Sequence, residues 1–240
     1  MDRMNNLKKS FHSLKWYEWL MAAVMVAIAA WAMISAFIDP ASASNPPWLT
    51  VLNFISAVCG VICIFFCAKA EISNFAFGLV NTVVYTVYLA YWHIWGTMCL
   101  EMFLYFPINI ISWIVWAGHR DSMEPEKTMA KKLTGWQDVG VFAIVAAATV
   151  VYHAILVRVG GNVAWLDAAT VSIGIIATIL EMLRYREQYV LWLITDVVAV
   201  AMFIQHFDAV YLTKKSIYLI MAVIGLVNWC RLQRRNESNA

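Results

Sequence analysis

Four polar residues stand out because long apolar segments surround them. Asn81, Asn109 and Asp196 fall at or near the middle of such segments, and Glu101 lies nearer one end of its own. Polar groups in apolar surroundings are costly, so each should have a partner or contact a solute. We expect the two carboxylates to face each other, a polar cavity or a cationic ligand. The four side chains are therefore candidates for holding the polar parts of a small solute.

Aromatic residues share the helix faces of these polar groups, at spacings of four and seven residues. They are Phe77 and Tyr85 beside Asn81, Trp113 and Trp116 after Asn109, and Tyr189 and Trp192 before Asp196. Aromatic faces near a carboxylate suit a flat, cationic heteroaromatic solute, with roughly 0.5–2 kcal/mol gained per cation–π contact. We predict that these ten residues form the substrate-binding set.

The composition places this set in a membrane protein. The chain is 62% hydrophobic and 13% charged, with a mean hydropathy of +0.69, whereas a soluble domain carries roughly 25% charged residues. A helix needs about 20 mostly apolar residues to cross the hydrocarbon core. The segments that qualify are residues 16–38, 49–68, 71–90, 97–116, 136–157, 165–183, 188–207 and 214–232. Helices are expected because lipid offers no partners to backbone groups.

The basic residues predict that both termini are cytoplasmic. If all eight segments cross and the N-terminus is inside, the outer side holds only Arg158, Lys214 and Lys215 of the 17 Lys and Arg residues. This distribution follows the positive-inside rule. Seven crossings, with segment 16–38 at the interface, would place the N-terminal lysines outside. The net charge of +2 does not indicate a nucleic-acid partner, so the expected surroundings are membrane lipid.

The second to fourth segments resemble the sixth to eighth, which predicts an internal repeat. The matched pairs are Trp48 and Trp165, Phe77 and Trp192, Asn81 and Asp196, Tyr105 and Tyr218, and Trp116 and Trp229. The single span between the two triplets makes them parallel. Parallel repeats are a known transporter plan in which the solute binds between the halves near mid-depth.

The predicted fold is therefore an all-α membrane protein with two parallel three-helix repeats joined by one linker helix. An extra N-terminal hydrophobic helix precedes this 3+1+3 arrangement. The predicted domains are residues 1–47 for the N-terminal basic segment and extra helix, 48–118 for the first repeat, 119–160 for the cytoplasmic linker and connecting helix, and 161–240 for the second repeat and basic tail.

No catalytic or metal site is predicted. Cys59, Cys63 and Cys67 share one helix face, but metal sites usually have paired CxxC motifs or histidine partners. Nucleotide-binding GxxxxGK[ST], HExxH and GxSxG motifs are absent, and no cofactor is expected. Several alternatives stay open. The protein could be an intramembrane enzyme with Glu101 and Asp196 as an acid–base pair, a membrane scaffold without a solute, or a transporter with proton coupling through Asp196 or Glu101. Trp116 could be an interfacial anchor, Asn81 could bond between helices, and Asp196 could have a purely structural role.

Three motifs resemble those of PnuC-type nicotinamide riboside transporters. The stretch 71–81, EISNFAFGLVN, is similar to that family's KISNxxFGLIN. The stretch 109–116 resembles its NxxGWxxW motif, with Ser112 in place of the glycine. The stretch 187–196 resembles its ENWxxWxxxN motif, with Tyr189 in place of the first tryptophan and Asp196 in place of the asparagine.

This resemblance implies the 3+1+3 fold, related to SWEET sugar transporters, and facilitated diffusion of nicotinamide riboside across a bacterial inner membrane. It also implies a homotrimer, and a separate cytoplasmic kinase that traps the solute for NAD synthesis. The changes at Tyr189 and Asp196 fall where the ligand is expected. Transport of thiamine or another vitamin by a relative of this family is therefore the alternative function.

Overall fold

The computed structural model describes residues 10–39, 45–158, 165–205 and 209–238, and these are almost entirely helical. The helices are α1 (Trp16–Ile38), α2 (Pro47–Cys67), α3 (Asn74–Tyr91), α4 (Trp95–Leu100), a π-helical segment (Glu101–Tyr105), α5 (Phe106–Gly118), α6 (Gly135–Arg158), α7 (Trp165–Met182), α8 (Gln188–Gln205) and α9 (Ala209–Ser238). The predicted all-α membrane fold is confirmed. The predicted end of the seventh segment, residue 207, lies outside the described residues.

Among the residues that the structure describes, five helical spans are long and apolar enough to cross a bilayer. They are Trp16–Ile38, Pro47–Cys67, Thr97–Gly118, Gly135–Ile155 and Thr213–Ser238. The helices α3, α7 and α8 have 18 residues each, which corresponds to about 27 Å of helix against about 30 Å of hydrocarbon. The number of crossings, and with it the crossing of segment 16–38, stays a prediction.

The chain divides into two compact units, unit 1 (Met1–Thr128) and unit 2 (Met129–Ala240). In unit 1, α1 packs on α2, α2 on α3, and α3 on α5; in unit 2, α6 packs on α7, α7 on α8, and α8 on α9. Each unit thus contains one single helix followed by a three-helix set. The predicted domain boundaries after residues 47 and 118 subdivide these units and stay predictions. The boundary after residue 160 lies outside the described residues.

The two units share a loop geometry at equivalent positions. After α2 and after α7, Ala70 and Arg184 adopt positive φ values of 59° and 68°. Each loop closes with a Schellman pattern, in which Glu71 N donates to Phe66 O at 3.0 Å and Tyr185 N donates to Leu180 O at 2.9 Å. The carbonyls of Ala70 and Arg184 accept bonds from the polypeptide between α5 and α6, within their own unit.

The N-terminal segment is fixed to this loop in unit 1. Glu18, which is buried, accepts bonds from the Lys15 backbone N–H at 2.7 Å and from Lys69 Nζ at 2.8 Å. Ser10 Oγ donates to Glu71 Oε2 at 2.7 Å. Burial raises the pKa of Glu71 to about 6, although the Ser10 hydrogen bond and nearby lysines act in the opposite direction. Buried polar contacts therefore hold the N-terminal segment against the loop that follows α2.

The π-helical segment before α5 has a local cause. Pro107 follows it and has no backbone N–H, so the carbonyl of Phe103 loses its usual helical partner. The Phe106 N–H instead bonds to Glu101 O, five residues back. Such bulges often occur at functional sites, and this one lies between Glu101 and Asn109.

Each unit also contains one fully buried tryptophan beneath its loop. The Trp116 ring meets the Phe75 ring at 4.7 Å, and the Trp229 ring meets the Tyr189 ring at 5.9 Å, both in edge-to-face arrangements. Both tryptophans have 0% exposure. These aromatic pairs hold the loop end of α3 against α5 and that of α8 against α9.

Candidate solute-binding groups

In unit 1, Asn81 lies at the contact between α2 and α3. Its Oδ1 accepts a hydrogen bond from Ser56 Oγ at 2.6 Å. Gly60 leaves the space for this amide, because a Cβ at residue 60 would lie 3.4 Å from Asn81 Oδ1. Asn81 is only half-buried. Its amide therefore has one partner among the described residues and retains the capacity to bond a polar solute.

Asn109 of α5 occupies a similar position against α3. A Cβ at Gly78 would lie 3.0 Å from Asn109 Oδ1 and 3.3 Å from Cys63 Sγ. Gly78 therefore allows the Cys63 sulfur and the Asn109 amide to approach the α3 backbone. With Ser56 and Asn81, these groups form an uncharged cluster along α2, α3 and α5, which we call the amide cluster (Ser56, Cys63, Asn81 and Asn109).

In unit 2, Asp196 forms an ion pair. Lys215 Nζ lies 3.2 Å from Asp196 Oδ1, and the exposed side-chain fractions are 30% for the lysine and 7% for the aspartate. Lys214 and Lys215 both place Nζ 5.6 Å from the Tyr218 ring centroid. Asp196 thus has a protein cation as partner, and the pair as a whole carries no net charge.

Glu101 belongs to unit 1, whereas Asp196 belongs to unit 2. Glu101 begins the π-helical segment and is half-buried. No hydrogen bond or ion pair joins its carboxylate to another of the described residues. It therefore stays a candidate for solute contact.

The predicted aromatic residues differ in their accessibility. Phe77 is half-buried with its ring 5.8 Å from that of Phe66, Tyr85 stacks on Tyr88 at 6.1 Å, and Trp113 is 37% exposed. Trp192 packs on the buried cluster of Leu133, Ala177, Leu180 and Leu191. Tyr189 and Trp116 belong to the buried aromatic pairs of the loops. Phe77, Tyr85, Trp113 and Trp192 consequently keep more ring surface for a solute than the other two.

Two partners escaped the sequence reasoning, namely Ser56 for Asn81 and Lys215 for Asp196. The charge pattern places Lys215 on the outer side of the membrane. Because Asp196 and Lys215 lie on consecutive helices that pack on each other, the sequence contained a signal for their pairing. The register of the repeat is also more regular than the sequence matches indicate. Ala70 and Arg184, and Phe75 and Tyr189, both correspond at an offset of 114. At that offset Asp196 corresponds to Thr82, and both are buried.

Polar residues inside apolar, membrane-spanning helices are typical of the solute pathways of membrane transport proteins. The chain belongs to the family described as nicotinamide mononucleotide transporter, whose model matches residues 50–231. It is a membrane transporter of the PnuC type, as the resemblance of its motifs predicts, and this family identity is therefore confirmed.

Named relatives agree with this assignment. The nicotinamide riboside transporter PnuC of Haemophilus influenzae is 31% identical over 237 residues, covering 96% of this chain and 97% of that protein. PnuC of Neisseria mucosa is 31% identical over 196 residues, covering 78% and 74%, and PnuC of Escherichia coli is 25% identical over 220 residues, covering 80% and 90%. The crystal structure of the vitamin B3 transporter PnuC matches with a TM-score of 0.73 at 28% identity, covering 95% of this chain and 97% of that one.

Proposed function

We propose that the chain carries nicotinamide riboside across the bacterial inner membrane by facilitated diffusion. The relatives in Haemophilus influenzae and Neisseria mucosa are nicotinamide riboside transporters, and the first covers almost the whole chain. Within unit 1, Asn81 and Asn109 bond the polar ribose or carboxamide groups, and the rings of Phe77, Tyr85 and Trp113 offer surfaces on which the pyridinium ring stacks. Trp192 offers such a surface in unit 2. Tyr189 and Trp116, in the buried aromatic pairs of the loops, hold the ends of α8 and α5 in place, and Glu101 contacts the solute during its passage.

The ion pair of Asp196 with Lys215 is the observation from which we infer the substrate. Asp196 replaces the asparagine of the family motif, but Lys215 at 3.2 Å neutralises it. The pair therefore has the same net charge as the neutral residue that it replaces. This favours retention of nicotinamide riboside over a change to thiamine. Nicotinamide mononucleotide carries an additional phosphate of about −1.5 to −2 charges, and the Lys215 ammonium that could bind it is engaged with Asp196.

The setting of transport follows from the family and from the charge pattern. Both termini lie in the cytoplasm, where 14 of the 17 Lys and Arg residues accumulate, in accordance with the positive-inside rule. The assembly is a homotrimer, and a cytoplasmic kinase phosphorylates the incoming nucleoside and so prevents its return. The protein itself performs no chemical step. Transport occurs because the solute site opens alternately to the outside and to the cytoplasm.

Uptake into proteoliposomes tests this proposal. Labelled nicotinamide riboside should enter until the internal and external concentrations are equal, and an imposed pH gradient should not change that level. Unlabelled nicotinamide riboside should compete more strongly than nicotinamide mononucleotide or thiamine. Protein-free liposomes and the variant Gly118→Ala, where an added Cβ meets nothing within 4 Å, are the controls. Accumulation above the external concentration would contradict facilitated diffusion, and uptake of thiamine alone would replace the substrate.

A further inference from the structure

A groove of about 480 Å³ lies within unit 2, between α6, α8 and α9. Its apolar wall consists of Val141, Phe142, Val190, Leu191 and Leu226. Its polar end consists of Asp138, Arg186, Glu187 and Cys230. None of these residues belongs to the candidate solute-binding set. The groove is therefore a separate feature of the molecule, with one charged end and one apolar wall.

The polar end combines a paired and an unpaired charge. Arg186 donates through Nε to Glu187 Oε1 at 3.0 Å and through one terminal nitrogen to Gln233 Oε1 at 3.1 Å. Its other terminal nitrogen has no bond to any described residue. Glu187 Oε2 also accepts the Leu133 N–H at 3.1 Å. Asp138, in the first turn of α6, has no side-chain partner within the described ranges, so one carboxylate and part of one guanidinium are left to bind a ligand.

The apolar wall is suited to lipid rather than water. The span Gly135–Ile155 of α6 is apolar enough to cross a bilayer and 0% of its residues are buried, so its sides are available to acyl chains. Phe142 is 50% exposed and Val190 is 36% exposed. Asp138 and Arg186 lie where α6 and α8 begin, and the apolar wall extends one to two turns further along the helices. A membrane lipid can therefore place its headgroup at the polar end and one acyl chain along the wall.

We propose that this groove binds one phospholipid whose headgroup carries both a phosphate and a primary ammonium, as phosphatidylethanolamine does. The free terminal nitrogen of Arg186 donates to the phosphate, since a guanidinium matches phosphate oxygens in geometry and charge. The carboxylate of Asp138 accepts hydrogen bonds from the ammonium. With a volume within the usual range of about 300–1,000 Å³ for ligand pockets, the groove holds the headgroup and the first part of one chain.

Charge complementarity distinguishes this lipid from the other common headgroups. Phosphatidylglycerol has no cation for Asp138 and brings a negative charge close to it. Phosphatidylcholine has a cation but no N–H donor, so it forms no hydrogen bond with the carboxylate. In the predicted orientation the groove opens to the inner leaflet. Occupancy would fix α6 against α8 and α9 within unit 2.

Native mass spectrometry and thermal unfolding of the delipidated full-length protein test the proposal. The three lipids are added with identical acyl chains. We expect phosphatidylethanolamine to bind about tenfold more tightly than phosphatidylcholine and to raise the unfolding temperature by mass action. Asp138→Asn should reduce this preference at least fivefold. Glu237→Gln, which removes an exposed acid near the end of α9, should leave it unchanged, and Val190→Trp should fill the groove and lower the binding of all three lipids.

Three results would overturn the proposal. The first is equal binding of the three lipids by the wild-type chain. The second is an unchanged preference for phosphatidylethanolamine in Asp138→Asn. The third is that Val190→Trp dissociates an oligomer of the delipidated protein while added lipid has no effect. In that case a second copy of the chain, and not a lipid, would occupy the groove. These experiments measure lipid binding and not transport, so their result does not depend on which solute the protein carries.

Discussion

The candidate solute-binding side chains of unit 1 and unit 2 are held in different ways. The amide cluster of unit 1 is uncharged, with Ser56 donating to Asn81 at 2.6 Å. In unit 2, Asp196 is held by Lys215 at 3.2 Å. An amide can exchange a neutral hydrogen bond for one with a solute at small cost, whereas a buried carboxylate that loses its cation leaves an uncompensated charge. This difference indicates that unit 1 supplies adaptable contacts and unit 2 a fixed, neutral pair.

The largest expected effect comes from breaking the ion pair of unit 2. Lys215→Met leaves Asp196 as an unpaired buried acid and should destabilise the protein toward the lower end of the about 3–5 kcal/mol seen for such losses. Asp196→Asn should cost less, because Lys215 is 30% exposed and its ammonium can turn toward solvent. The double variant Asp196→Asn with Lys215→Met should return within about 1 kcal/mol of the wild type. Thermal unfolding in detergent measures all three.

The same variants separate a transporter from an enzyme. Asp196→Asn should retain uptake with an altered affinity, whereas an enzyme that used this residue as its acid or base would lose its activity. If both single variants were as stable as the wild type, the ion pair would not contribute to the fold as described.

Gly225 in unit 2 and Gly78 in unit 1 both leave space for a neighbouring side chain, and the two glycines should tolerate alanine differently. In Gly225→Ala, the new Cβ would overlap Tyr189 Cε1, so the aromatic pair of unit 2 must shift, at about 1–3 kcal/mol. Gly78→Ala in unit 1 meets Asn109 Oδ1 at 3.0 Å and should cost less, because an amide can rotate. Gly140→Ala, with nothing within 4 Å, is the control. Suppression of the Gly225→Ala defect by Tyr189→Ala would verify the contact, and equal defects in Gly78→Ala and Gly225→Ala would contradict it.

The loops of the two units should respond differently to pH. Burial raises the pKa of Glu71 to about 6, above the value of about 4.3 expected in an unfolded chain. The folded state therefore binds this proton more tightly, and the stabilisation present below about pH 4.3 should be lost as the pH rises through about 6. Glu71→Gln should remove this dependence and be more stable above pH 6 by on the order of 2 kcal/mol. The measurement is the unfolding temperature as a function of pH.

Tyr185 is the position in unit 2 that corresponds to Glu71. Tyr185→Phe should keep the wild-type pH profile between about pH 4.3 and pH 6, which makes it the matched control. An identical pH profile in the wild type and in Glu71→Gln would show that Glu71 is not the responsible group.

The smallest expected effect concerns the hydrogen bond of the amide cluster. A double-mutant cycle with Ser56→Ala and Asn81→Ala should give a coupling energy near 0.6 kcal/mol, the average for bonds between helices in membranes. A coupling energy several times larger would mean that Asn81 has a mainly structural role, as its alternative interpretation requires.

Hydropathy was sufficient to predict the helices, because length and apolar content decide what can cross a bilayer. Segment 16–38 matches α1, and segment 165–183 matches α7 to one residue. Hydropathy does not indicate how each helix is rotated about its axis, and therefore which side chains meet across two helices. For this reason the pairing of Asp196 with Lys215, on adjacent helices, was not predicted, and neither was the Ser56 partner of Asn81. The π-helical segment depends on one proline and also escaped prediction. The three motifs correctly predicted the family, whereas the substrate-binding set stays a prediction.

The binding of nicotinamide riboside to purified protein, followed by calorimetry, tests the role of the amide cluster most directly. The account predicts saturable binding by the wild type and by Ser56→Ala. It predicts a loss of at least about tenfold in affinity, or about 1.4 kcal/mol, for both Asn81→Ala and Asn109→Ala. Wild-type affinity in both asparagine variants would contradict the account.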